Sequence, residues 1–169
     1  MMPVVEDMIG DVVAKMRALV NSQTPYYQYG HIAEISDILK NMEGDPVKKN
    51  QKYPLVILRL DNPGEVEEEI VKWNLNIVIC AYTNNGYRAP ERLQSVFKPV
   101  LFPLYDRFFE ALNLSKHFFW EGNYPKHTKI DRYFWGTSTG FRNAKQIFDD
   151  PIDAIEIINL KINSRIKTC

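Results

Sequence analysis

The sequence predicts an α+β domain, with a mixed, largely antiparallel β-sheet flanked by helices. Three stretches carry this reading. Val71 to Tyr82 (V-K-W-N-L-N-I-V-I-C-A-Y) places Val71, Trp73, Leu75, Ile77, Ile79 and Ala81 on alternate positions. A period of two marks a β-strand with one buried face. Pro3 to Val20 instead repeats apolar residues at helical spacing: Val4, Val5, Met8, Ile9, Val12, Val13, Met16, Leu19 and Val20. Asp153 to Ile162 (D-A-I-E-I-I-N-L-K-I) reads as a closing strand.

The Pro3–Val20 helix has Glu6, Asp7 and Asp11 early and Lys15 and Arg17 late, which suits the helix dipole. Thr24 to Gly30 is a short extended piece rich in tyrosine. A second helix is expected from Ile32 to Glu43, with Ile32, Ile35, Ile38, Leu39 and Met42 on one side; Gly44-Asp45-Pro46 stops it. Lys48, Lys49 and Lys52 are expected to form a solvated basic face in the loop that follows. Tyr53 to Leu60 is an apolar strand with Pro54 at its start, where no ladder donor is needed. Asp61-Asn62-Pro63-Gly64 is a turn. Glu65 to Glu69 fits either an exposed strand start or a helical turn.

The Val71–Tyr82 strand starts with polar alternates (Lys72, Asn74, Asn76) and ends with apolar ones (Val78, Cys80, Tyr82). Its second half is therefore expected to be covered on both faces. Ala89 to Leu112 is helical, but Pro99 and Pro103 lie inside it. Each removes a backbone donor and clashes one turn back. A kink, or two helices, is expected at Ser95–Pro103. His117–Trp120 and Ile130–Gly136 read as partner strands of a hairpin, and Thr137–Asp150 as loop. In the last strand the apolar set moves from Ile155 and Ile157 to Ile158, Leu160 and Ile162, a slip of face that implies a bulge or a change of covering layer. Asn163–Cys169 is expected to be a frayed tail.

The chain of 169 residues is expected to be one domain, 1–169, with room for one real core. Lys plus Arg and Asp plus Glu are each 21, so the formal charge is zero, which argues against a free-standing nucleic-acid binder. Two cysteines, Cys80 and Cys169, make no disulfide framework or zinc set and suit a reducing compartment. No secretory signal pattern opens the sequence, and no apolar run approaches the roughly eighteen residues that span a bilayer.

His31, His117 and His127 belong to no metal-binding spacing, and no nucleophile elbow, phosphate loop or dinucleotide fingerprint occurs. No catalytic residue, cofactor or metal is expected. Lys116, His117, Lys126, His127, Lys129 and Arg132 form a basic cluster interleaved with Phe118, Phe119, Trp120 and Tyr124. It fits a solvated hairpin tip or, alternatively, a surface near nucleic acid.

The order of elements, with R-L-Q-S-V-F-K-P-V-L-F-P-L-Y-D-R-F-F, R-Y-F-W-G and D-P-I-D-A-I-E-I-I-N-L-K-I, resembles the tail-terminator or tail-completion neck proteins of tailed bacteriophages, including those of Bacteroidetes hosts. The resemblance spans residues 1–163. It implies a tail-terminator-like fold, made in the host cytoplasm and located in the virion. It also implies a homo-oligomeric ring, commonly sixfold, that caps the tail tube, binds the head connector and surrounds DNA, with no enzymatic step and no membrane. The doubled proline and the His117–Trp120 segment have no counterpart in lambda-type members, so a head–tail adaptor subunit stays open, as do a small hydrolase and a DNA-binding module. Ring contacts are heterologous. Glu65, Glu67, Glu68, Glu69, Phe118, Trp120 and Tyr124 are expected at subunit interfaces, and Lys126, His127, Lys129 and Arg132 facing DNA.

Overall fold

A computed structural model describes residues 4–19, 24–136 and 147–166. In chain order the elements are α1 (Val5–Leu19), β1 (Tyr26–Gly30), α2 (Ile32–Glu43), a short 3-10 turn (Lys48–Gln51), β2 (Leu55–Arg59), β3 (Gly64–Glu67) and β4 (Ile70–Tyr82). There follow α3 (Ala89–Arg92), a π-helical stretch (Leu93–Leu101), α4 (Phe102–Asn113), β5 (Phe118–Phe119), β6 (Thr128–Trp135) and β7 (Ile152–Arg165). The fold is α+β, as expected, with a curled and largely antiparallel sheet.

The strands run β1-β2-β4-β7-β5, with β3 also beside β4 and β6 also beside β7. β1 and β2 are parallel; every other pairing is antiparallel. The two long strands, β4 and β7, form the spine, and each carries two short strands along its outer edge. On β4 these are β2 against Ile77–Cys80 and β3 against Ile70–Trp73. On β7 they are β6 and β5.

Helices pack on both faces of the sheet. On the first face α1, the π-helical stretch and α4 bury Val12, Met16, Phe97, Leu101 and Phe108 against Leu75, Ile77, Ile79, Ile155 and Ile157. On the second face α2 supplies Ile35 and Leu39 over Leu55, Ile57, Val78, Cys80 and Ala154, joined by Trp135 and Phe148. Val78 and Cys80 are therefore buried as the sequence pattern demands, while Lys72, Asn74 and Asn76 stay outside this core.

The slip of face in β7 is a bulge. Leu75 pairs with Leu160 and Ile77 with Ile157, so Asn76 stands opposite two residues, Ile158 and Asn159. Asn159 takes φ 55, the left-handed region that asparagine tolerates better than most residues. Its N–H donates to the Asn76 Oδ1 at 3.2 Å. The extra residue lets Ile155, Ile157, Leu160 and Ile162 all reach the first core.

The proline problem is solved without a break. Between α3 and α4 the backbone widens to π-helical hydrogen bonding, with Phe102 N–H donating to Phe97 O. In an α-helix, Pro99 would clash with the Ser95 carbonyl and Pro103 with that of Pro99. A π-helical turn moves those carbonyls out of the way. Val96, Phe97 and Leu101 still face the core.

Three expectations are corrected. β5 and β6 do not pair with each other: both lie against β7, β5 at Asn163–Ser164 and β6 at Ile152–Ile158. The Lys116–Trp135 segment is thus no hairpin, because β7 is long enough to accept both strands end to end. Asn163–Arg165 is not frayed but continues β7, pairing with Ile70–Lys72. Ser164 is buried and accepts a hydrogen bond from Trp73 Nε1 at 2.8 Å. Lys52 is also not solvated, as described below. The undecided Glu65–Glu69 run forms β3 and its tight turn into β4, with Glu68 at φ 54. Pro3, Val20, Cys169 and residues 137–146 of the expected loop lie outside the described residues.

Deleting Asn159 is expected to abolish folding, because Leu160 and Ile162 would turn to the opposite face. Asn159→Gly is expected to keep or raise stability by about 0.5–1 kcal/mol, since glycine adopts positive φ without steric cost. Urea denaturation of both variants checks this.

Candidate interaction surfaces

Beyond the second core, the second face of the sheet ends at an acidic margin. Glu65 pairs with Lys72 and Glu67 with Ile70 across the β3–β4 ladder, so both glutamates lie on the open face beside Lys72. Lys72 forms an ion pair with Glu67. Glu68 and Glu69 make the turn, and all four glutamates are exposed. Glu65, Glu68 and Glu69 join no ion pair among the described residues.

The opposite margin is basic. The Lys126 carbonyl accepts the Lys161 N–H at 2.9 Å, which sets Lys126 against β7 between β5 and β6. Lys126 and Lys161 are exposed and join no ion pair among the described residues. Lys129 pairs with Asp131 and lies 4.7 Å from the Phe102 ring centre; Arg132 donates to Glu156 at 2.7 Å. Strand order puts Lys126 three strand spacings from β3, about 14 Å.

His127 is tied into its own subunit. Its Nδ1–H donates to the Pro125 carbonyl at 2.9 Å, and its Nε2 accepts from the Tyr105 hydroxyl at 2.6 Å. The carbonyl can only accept, which fixes this tautomer. The ring stacks on Phe109, centroids 4.7 Å apart. Tyr124 also packs on Phe109, at 4.6 Å, yet is 49% exposed. Burial pushes the Tyr124 hydroxyl pKa up. Phe118, by contrast, is 7% exposed and belongs to the first core, and Trp120 packs half-buried against that core. Of the residues expected at subunit interfaces, the glutamates gather at one margin and Phe118 is buried in the first core; Lys126, His127, Lys129 and Arg132, expected to face DNA, lie along the opposite edge.

Two charged clusters went unforeseen. Arg92 and Asp153 are both fully buried and paired at 2.6 Å. Arg92 also donates to the carbonyls of Tyr87 and Asn84, both at 2.9 Å, and its guanidinium lies 3.4 Å from the Phe134 ring centre. Asp153 further accepts the Phe134 N–H at 2.9 Å, holding a second bulge where Phe134 takes φ 56. One sequence signal was available: an aspartate opening the apolar run of the last strand. The second cluster is Lys52, buried between Glu43 of α2 and Asp150, which lies 3.1 Å away. Burial pulls the Lys52 pKa down, but the bonds to Glu43 and Asp150 outweigh it and leave it raised. The same bond to Lys52, with a second to Lys49, lowers the Glu43 carboxyl to about 2. Lys48 and Lys49, unlike Lys52, are exposed.

Among the described residues no group of three or more His, Cys, Asp or Glu side chains is placed to hold a metal ion, and no helix is long and apolar enough to cross a membrane. No family model, curated protein or solved structure matches the chain.

Arg92→Met would leave Asp153 buried without its counter-charge and is expected to cost about 3–5 kcal/mol in urea denaturation. Glu43 is a depressed acid, so its contribution to stability is present in full above its ordinary value of 4.5 and lost as pH falls from there to about 2. The difference in thermal midpoint between the protein and Glu43→Gln is therefore expected to hold steady above 4.5 and to close towards 2.

Proposed function

We propose that this chain is a structural subunit of a tailed-bacteriophage neck. Copies of it close into a ring that ends the tail tube and joins it to the head connector, with DNA passing through, and the subunit carries out no chemistry. The sequence resemblance suggests this class. One observation favours it: charge of opposite sign, in no ion pair among the described residues, sits on opposite sides of one sheet, with Glu65, Glu68 and Glu69 at the β3 margin, Lys126 beyond β7 and Lys161 on β7 itself. Lys126 lies three strand spacings, about 14 Å, from β3, so its charge is suited to the acidic patch of a neighbour. Such a contact is heterologous and closes into a ring when its rotation closes. A net charge of zero leaves no overall repulsion between copies. Complementary charge sets register and partner choice more than raw affinity.

Light scattering at low salt is expected to give a closed oligomer of defined mass. Glu68→Lys with Glu69→Lys is expected to weaken assembly about tenfold or more, and Lys126→Glu with Lys161→Glu in the partner copy to restore it. A single-subunit mass at every concentration would overturn the proposal.

A further inference from the structure

Ile147–Asp150 lies in neither helix nor strand, yet it closes the second core. Phe148 stacks on Trp135, ring centres 5.1 Å apart, and sits so close to Gly136 that a Cβ there would come within 2.5 Å of its ring. Leu39 and Cys80 belong to the same core, and Cys80 is fully buried.

The groups that hold this segment are polar. Ser36 Oγ donates to Ile147 O at 2.6 Å, and Ile147 N–H donates to Gly136 O at 2.8 Å. Asp150 accepts from Lys52 Nζ and from the Tyr53 hydroxyl, both at 3.1 Å. Lys40 reaches Asp149 at 3.7 Å. Between α2 and the segment runs a cleft of about 250 Å³, lined by Leu39, Lys40, Glu43, Lys52 and Phe148, so close packing does not seal this side.

We infer that Ile147–Asp150 is a releasable strap, clamped through Asp150 by Lys52 and Tyr53, whose release lifts Phe148 off Trp135 and opens the second core while the first core stays folded. The two cores lie on opposite faces of the sheet and share no side chain. The strap has no backbone ladder to lose, so its opening is a local event with its own, smaller free energy. Cys80 reports the event: it is fully buried in the core that the strap closes and meets solvent when that core opens.

The test is thiol labelling of Cys80 under native conditions in a Cys169→Ser background, which leaves one cysteine of the two. Global stability is followed in parallel by far-UV circular dichroism in urea. Lys52→Met is expected to speed labelling about tenfold, the equilibrium worth of one hydrogen bond to a charged group, beyond any change in the global transition. Tyr53→Phe, a milder change, is expected to speed it by a smaller factor and decides the matter if Lys52→Met does not fold. Labelling that tracks global unfolding alone in the parent protein and in both variants would overturn the inference.

Discussion

Twelve paired positions between β4 and β7 tie Ile70–Tyr82 to Ile152–Arg165, and every other strand except β1 hangs on one of these two. The pairing sets which side chains meet the helices. Ile77 with Ile157 and Ile79 with Ile155 point to α1 and α4, while Val78 with Glu156 and Cys80 with Ala154 point the other way. A register error of one residue would exchange the two sets. The Asn76–Asn159 bond at the bulge, the Trp73–Ser164 bond and the Arg92–Asp153 pair near the strand end are polar contacts that hold that register. The Arg92 pair also joins the loop after β4, the start of the long helix and the bulge of β6, which no apolar contact alone would do.

The periodic parts of the chain were legible because burial on one face writes itself into alternate residues. β4 was readable from its odd positions and α2 from its ends, Ile32 and Glu43. The bulge of β7 could be read because its apolar set changes parity. Pairing partners were not legible. His117–Trp120 and Ile130–Gly136 read as a hairpin because they are near in sequence, but β7 offers β5 and β6 a longer edge than either offers the other. The prolines announced a disturbance in the helix; its form, a π-helical stretch, depends on Phe97 and Leu101 staying in the core.

Charges were the least legible feature, since one lysine type serves opposite ends. Lys48 and Lys49 are exposed and Lys52 is buried, though all three lie in one polar loop. What separates them is Asp150, nearly a hundred residues on, which sequence spacing does not connect to Lys52. Glu65–Glu69 and Lys126–Arg132 do lie at the surface, but His127 turns both ring nitrogens inward and Phe118 belongs to the core.

The sheet keeps its polar and charged side chains at the β3–β4 end of the second face and along the β6 edge, outside both cores. The buried charges among the described residues, Lys52, Arg92, Asp153 and Glu156, all pair within the fold. That division supports a protein that acts through shape and contact. Electron cryomicroscopy of the purified chain addresses this most directly. The account predicts closed rings in which the β3–β4 turn of each subunit faces Lys126 and Lys161 of the next; dispersed single subunits, or rings joined through another surface, would contradict it.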